Sequence, residues 1–193
     1  MKAMEEKIRK EGKVFPGHIL KVGSFLNHQL DTAFLMEVGR EIADLYKNER
    51  IDKVVTIETS GVAVAFAAAV ELNVPVVYAK KHKSANLPPD LYSAIVHSFT
   101  HNTDYTVYIS KDFLHPGEKV LIVDDFLAVG NALNGLMEIV GQAGAETVGI
   151  ATAIEKGFQG GGDAIRAKGI RVESMAIIDE MTDSDIIFRP QDR

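Results

Sequence analysis

Val120-Leu121-Ile122-Val123-Asp124-Asp125-Phe126-Leu127-Ala128-Val129-Gly130-Asn131-Ala132 reads as a buried strand, an acidic pair and a small-residue turn that opens a helix. The strand covers Lys119 to Val123, and the helix shows its inner face at Leu133, Leu136, Met137 and Val140 before Gly144 ends it. The acids and the helix N-terminus therefore fall at one edge of a sheet, where open α/β sheets bind ligands. Free NH groups at Ala128, Val129, Gly130, Asn131 and Ala132, reinforced by the helix dipole, suit a phosphate dianion. Asp124 and Asp125 would repel that phosphate, so they face something else, either sugar hydroxyls or a bound magnesium. The alternative makes them caps of the helix, but one cap is enough and the pair stands several residues too early.

Upstream, Lys53-Val54-Val55-Thr56-Ile57 is a second β-branched run, followed by Glu58-Thr59-Ser60-Gly61 and an Ala-rich helix from Val62 to Leu72. Val74 to Ala79 adds another strand, giving a right-handed βαβ unit and hence a parallel sheet. Downstream, Val148 to Ile154 repeats the strand pattern, Gly160 to Lys168 fits a short helix, and Arg171 to Ile178 a further strand. The alternation predicts an α/β fold, an open, mostly parallel twisted sheet with helices on both faces. Nearer the N-terminus, Met4 to Glu11 reads as a short charged helix stopped by Gly12, and Lys13 to Gln29 as irregular or briefly extended. Asp31 then caps a helix with Leu35, Val38, Ile42 and Leu45 on one face.

Lys80 to Gly117 breaks the alternation. Basic residues at Lys80, Lys81, His82 and Lys83 and a Pro88-Pro89 pair precede two β-prone stretches, Tyr92 to Phe99 and Tyr105 to Ile109. Excursions of this length in a compact domain are functional lids or disordered. The aromatic and β-branched content favours a flexible β-hairpin lid over about 84–110. His97, His101 and Tyr105 lie on it, and none is assigned as a catalytic base, because a His on such a loop is more often a plain surface residue.

A chain of 193 residues, 46% hydrophobic, suits one domain spanning 1–193 with a single buried core. The formal net charge of -6 leaves no excess of cations for a nucleic-acid backbone, so no nucleic-acid partner is expected. A small phosphorylated ligand needs only a few local cations and amides. The lack of Cys excludes disulfides, thiolate metal sites and Cys nucleophiles, and fits a cytoplasmic location. Met1 to Gly12 has no continuous apolar core of the signal-peptide kind, and no later segment nears the ~20 apolar residues of a membrane span, so no membrane association is expected.

The acidic strand end and the loop after it resemble the signature of the type I phosphoribosyltransferases. The resemblance implies that Asp124 and Asp125 are the catalytic pair, holding the ribose 2′ and 3′ hydroxyls of phosphoribosyl pyrophosphate, and that residues 128–132 hold its 5′-phosphate. Many members carry a Thr where this chain has Val129. The loss is one hydrogen bond to an anion, worth about 1.5–3 kcal/mol unless Asn131 or the backbone amides replace it. Glu58-Thr59-Ser60-Gly61 resembles the pyrophosphate loop of the same family, with Ser60 and Gly61 at the anion. A Ser-Gly turn before a helix is also an ordinary N-cap, and only the companion motif tips the reading. Of the basic run, Lys81 and Lys83 are the choices for neutralising the departing pyrophosphate while Mg2+ holds its oxygens. No protein ligand to the metal is assigned. A closing lid keeps water from the oxocarbenium-like state.

Leu20-Lys21-Val22, Phe25-Leu26-Asn27-His28-Gln29 and Ile154-Glu155-Lys156-Gly157-Phe158 resemble the xanthine phosphoribosyltransferases of bacterial purine salvage. The likeness runs from the first helix to about residue 178. It implies an N-terminal hood over about 1–50, contacts from Leu20, Asn27 and Lys156 to a purine base, and a homodimer. The implied reaction transfers the 5-phosphoribosyl group to a free 6-oxopurine, xanthine ahead of guanine or hypoxanthine, giving xanthosine 5′-monophosphate and pyrophosphate. Xanthine carries oxygens at C2 and C6, so it needs donors at both ends, and the Lys156 ammonium and Asn27 amide supply them. Without the resemblance, Lys156 reads as a solvated residue after a strand and Asn27 as a loop amide bonded to its own backbone. Phe126 either stacks on a base or fills the core.

Two rivals come from other classes. A non-catalytic regulator sensing phosphoribosyl pyrophosphate would add a helix-turn-helix or a basic face, and the sequence has neither. A nicotinamide-dependent oxidoreductase would open its first βα turn with G-x-G-x-x-G, which is missing.

Overall fold

The computed structural model describes residues 1–83, 88–98, 103–182 and 185–191. The chain opens with α1 (Lys2–Glu11), a hairpin of β1 (Lys13–Phe15) and β2 (Ile19–Lys21), and a π-helical turn at Gly23–Asn27. α1 is more than a charged surface helix. Met4 and Ile8, four apart on one face, are completely buried in the core. α2 (Thr32–Leu45) follows, capped by Asp31, whose carboxylate accepts from the Phe34 amide at 3.1 Å. Lys7 also reaches Asp31 at 2.7 Å, and that ammonium holds the carboxyl below its usual pKa.

The βαβ unit forms as expected from β3 (Lys53–Ile57), α3 (Gly61–Leu72) and β4 (Val76–Ala79). Every residue of β3 is buried, including Lys53, whose ammonium donates to the Phe113 carbonyl at 2.6 Å and to Glu118 at 2.7 Å. The excursion folds into an antiparallel hairpin of β5 (Leu91–Ser98) and β6 (Thr103–Ser110). Residues 84–87 and 99–102 of the expected lid, His101 among them, lie outside the described residues.

β7 (Lys119–Leu127), α4 (Asn131–Gln142), β8 (Glu146–Lys156), α5 (Gly161–Arg166), β9 (Val172–Met181) and β10 (Ile186–Phe188) complete the chain. The six-stranded sheet has the order β10-β9-β8-β7-β3-β4, parallel except for the antiparallel pair at the β10 edge. This is the open, mostly parallel α/β sheet that the alternation called for. One core cluster packs α1, α2 and α3 on one face, around residues such as Ile8, Val38 and Val64. A second packs α4 and the β5–β6 hairpin on the other, around residues such as Val96, Val107 and Leu136. Among the described residues, no helix is long and apolar enough to cross a membrane.

Several boundaries differ from expectation. β7 does not stop at Val123 but runs on to Leu127, so the acidic pair sits inside the strand. The physical reason is a partner: β8 stays in register alongside, with Asp124 opposite Thr152 and Leu127 opposite Glu155, so the backbone is paired past the apolar run. β8 and β9 likewise outrun their apolar stretches. β10, only three residues long, is too short to show any periodicity in the sequence.

Candidate active site

Asp124 and Asp125 project from the central strand to different neighbours, as successive strand residues must. Asp124 is 5% exposed and lies beneath the start of α3. A β-carbon on Gly61 would collide with the Asp124 carboxylate and come within 2.6 Å of the Thr56 hydroxyl, so glycine is what allows this approach. The Thr56 hydroxyl is buried and, among the described residues, has no hydrogen-bond partner. Burial, and then the nearby Asp125, push the Asp124 carboxyl well above its ordinary pKa, although it accepts from the Asp125 amide at 2.9 Å. Asp125 is half-buried and faces Asn27, whose side-chain amide stands 3.5 Å from Oδ2, at the limit of a hydrogen bond.

The loop at 128–132 leads into α4 with its helix-start amides uncapped by any side chain. Gly130 adopts φ +88°, α4 has no side-chain cap, and the first amides of any helix lack intrahelical acceptors. The loop lines a pocket of about 170 Å³ together with Tyr105 and His97 of the hairpin, Phe126 and Gln159. Val129 is exposed and offers nothing polar in its side chain. Asn131 donates one of its two side-chain amide hydrogens to the His97 carbonyl at 3.0 Å. That bond ties the loop to the hairpin.

Ser60 precedes α3, and its hydroxyl caps nothing, which removes the ordinary N-cap explanation for the Ser-Gly turn. The Glu58–Thr59 peptide before it is cis. Glu58 turns back to accept from the Lys81 amide at 2.5 Å, fixing the start of the basic segment against the Ser60 loop. The Lys81 ammonium stands 5.3 Å from the Tyr105 ring centroid and near enough to Asp124 to favour its charged form. Lys83 is exposed, and among the described residues no contact joins it to these groups.

At the end of β8, the half-buried Lys156 donates to the His18 carbonyl at 3.0 Å and lies 5.9 Å from the Phe126 ring centroid. Burial lowers its pKa. An ammonium has three donors, so the bond to His18 leaves two free. Leu20 is 7% exposed and packs in the hydrophobic core beside Gly12. Phe126 packs against the core, as one of its two sequence readings had it, and also lines the loop pocket.

The family model described as the phosphoribosyl transferase domain matches residues 27–179. The chain belongs to the phosphoribosyltransferase family. Xanthine phosphoribosyltransferase 1 of Clostridium perfringens is 53% identical over 190 residues, covering 98% of this chain and 100% of the relative. The xanthine phosphoribosyltransferase of Oceanobacillus iheyensis is 47% identical over 193 residues, covering 100% of both. Among solved structures, adenine phosphoribosyltransferase from Thermoanaerobacter pseudethanolicus superposes with a TM-score of 0.73 at 21% identity, over 90% of this chain and 98% of that one.

In this phosphoribosyltransferase, several residues around the site escaped the sequence reading. Thr56 precedes the loop that Gly61 closes, yet in sequence it is one more β-branched residue, and Glu58, legible there only as the first residue of the loop motif, gives no sign that it accepts from the Lys81 amide. Tyr105 closes the loop pocket across the sheet edge, and burial with the nearby Asp124 raises its pKa. No spacing relates residue 105 to residue 130; only the docking of the hairpin on α4, where Val96 sits over Gly135, brings them together.

Proposed function

We propose that this phosphoribosyltransferase transfers the 5-phosphoribosyl group from phosphoribosyl pyrophosphate to xanthine, yielding xanthosine 5′-monophosphate and pyrophosphate. One observation carries the reading: the acidic pair on β7 has the amide-lined loop after it in sequence, Asn27 3.5 Å from Asp125, and Lys156 beside Phe126. Diol, anion and oxopurine partners thus converge on one sheet edge. The full-length relatives at about half identity, named as xanthine enzymes, support the same substrate.

In this reading the bond from the anomeric carbon to pyrophosphate breaks as a purine nitrogen attacks the opposite face, with inversion. Asp124 and Asp125 grip the ribose hydroxyls, and residues 128–132 grip the 5′-phosphate. Ser60, Gly61 and Lys81 meet the pyrophosphate. Lys156 donates to the 6-oxo group and Asn27 to the 2-oxo group. The protein chiefly positions reactants and stabilises charge. The residues about 1–50 act as a hood and about 84–110 as a lid that excludes water.

Magnesium fits this donor set. Among the described residues, no group of three or more metal-ligating side chains exists, but two adjacent carboxylates do, one of them destabilised as an anion. Magnesium is commonly held by one or two carboxylates plus substrate phosphates. When bound with the substrate, it neutralises pyrophosphate charge. A homodimer belongs to the same reading. Leu30, Phe66 and Tyr78, all more than 40% exposed, line one groove of about 770 Å³ beside the β4 edge, an apolar surface a second copy would cover. A cytoplasmic location is consistent with the cysteine-free sequence. The deciding experiment incubates the protein with phosphoribosyl pyrophosphate, magnesium and each of xanthine, guanine, hypoxanthine and adenine in turn. Fastest nucleotide formation with xanthine supports the reading, and no nucleotide from any base sinks it.

A further inference from the structure

A buried polar cluster behind the phosphate loop belongs to none of these substrate contacts. Glu155 is 0% exposed, and Arg166 donates to its two oxygens at 2.8 and 2.7 Å. Ser174 adds a hydroxyl donor to Glu155 Oε2 at 2.5 Å and itself accepts from Thr152 at 3.0 Å. A forked pair of this kind fixes both side chains in one geometry, while its net gain in stability over apolar residues is small. Its position gives it another use.

Glu155 lies at the end of β8, opposite Leu127 at the end of β7, one residue before the phosphate loop. α5 is wedged between the carboxylate and that loop. A β-carbon on Gly162 would collide with the Glu155 carboxylate, and one on Gly161 with the Ala128 carbonyl and the Val129 backbone. The Gly161 amide donates to the Ala128 carbonyl at 3.2 Å. On the next turn, Ile165 stands 3.2 Å from the point where Gly130 would carry a β-carbon. α5 thus touches the loop at 128, 129 and 130, and its last residue is Arg166.

We propose that Glu155 and Arg166 are positioning residues for the 5′-phosphate loop, acting through α5. The Ala128 carbonyl is occupied by the Gly161 amide, so an incoming anion meets amide hydrogens rather than a free carbonyl oxygen. Loosening the Arg166 fork lets α5 drift, frees that carbonyl, and weakens the anion site without touching the base site's donors. The inference rests on the reading of residues 128–132 as the phosphate cradle.

The test compares the parent with Arg166→Lys, Glu155→Gln and Gly161→Ala. Arg166→Lys keeps the charge and loses the fork, and Gly161→Ala disturbs the far side of the same joint while leaving the ion pair intact. Ribose 5-phosphate affinity is measured by calorimetry without turnover, alongside KM for both substrates, kcat and thermal stability. The expected result is a loss of ribose 5-phosphate affinity and a rise in KM for phosphoribosyl pyrophosphate, each on the order of tenfold or more. KM for xanthine and kcat at saturation stay within about twofold. Folded Arg166→Lys and Gly161→Ala proteins that bind ribose 5-phosphate like the parent overturn the proposal. So does a loss shared equally by both substrates and tracking melting temperature. Should Arg166→Lys and Glu155→Gln fail to fold, Gly161→Ala decides alone. A parent that neither binds ribose 5-phosphate nor forms nucleotide is a separate failure, of the site reading itself.

Discussion

Gly61 and Asp124 share one space: where a β-carbon on Gly61 would stand, the Asp124 carboxylate already does. The end of the proposed pyrophosphate loop and the proposed diol-binding acid are therefore one packed unit, although they are far apart in sequence. Gly61→Ala should push the carboxylate aside and lower kcat/KM on the order of 10²-fold, the size of effect a displacement of about 1 Å produces. The overpacking should cost about 1–3 kcal/mol. Steady-state kinetics and denaturant unfolding check both, and a fully active Gly61→Ala protein would contradict the shared role.

Asp124→Asn should separate stability from activity. The Asp124 carboxyl has a folded-state pKa raised above its unfolded value, by burial first and Asp125 second. Between those two values the folded protein binds the proton more tightly, so stability falls as pH rises through that window. At neutral pH the charged form is a liability that Asn removes. The variant should melt higher than the parent at neutral pH, by about 2–4 °C for each kcal/mol regained, with the gain shrinking towards acid pH. Its turnover, and that of Asp125→Asn, should drop severely. Calorimetric scans across pH with parallel assays test this, and a lower melting temperature for Asp124→Asn would count against it.

Lys156→Ala should erase discrimination at the purine 6-position. Lys156 is tethered to the His18 carbonyl, so the change also loosens the contact between the N-terminal hairpin and β8. Losing a hydrogen bond from a charged donor costs about 1.5–3 kcal/mol in xanthine selectivity over adenine. Competition between the two bases measures it, and unchanged relative rates would rule the role out.

Phe66→Glu should disrupt self-association. Phe66 is 61% exposed in the middle of α3, a position that its Ala-rich neighbours leave unshielded. Sedimentation velocity should show the parent as a dimer and the variant shifted to monomer, with little change in melting temperature of the isolated subunit. A parent that sediments as a monomer at assay concentration would refute the homodimer.

Legibility in the sequence followed the reach of the forces involved. The strands at Lys53–Ile57 and Lys119–Val123 and the helix face at Leu35, Val38 and Ile42 were readable because each pattern reports burial of its own neighbours. The Asp124-Asp125 pair and the 128–132 loop were readable for the same reason, since strand, acids and helix start are contiguous. The extension of β7 to Leu127 was not, because it depends on pairing with β8. Nor was the burial of Met4 and Ile8, which depends on contacts with the far end of the sheet.

By itself, the sequence determined the layered α/β architecture, the edge of the sheet that carries the acids, and the chemistry each side chain can offer. Periodicity and local turn chemistry act over a few residues, and that range suffices for all three. Tertiary structure alone decided which groups meet: Gly61 against Asp124, Asn27 beside Asp125, Tyr105 over the 128–132 loop, and α5 wedged between Glu155 and Ala128. Close packing made those choices. An approach that only a missing β-carbon permits, or a pKa raised by exclusion of water, exists only once distant segments are pressed together.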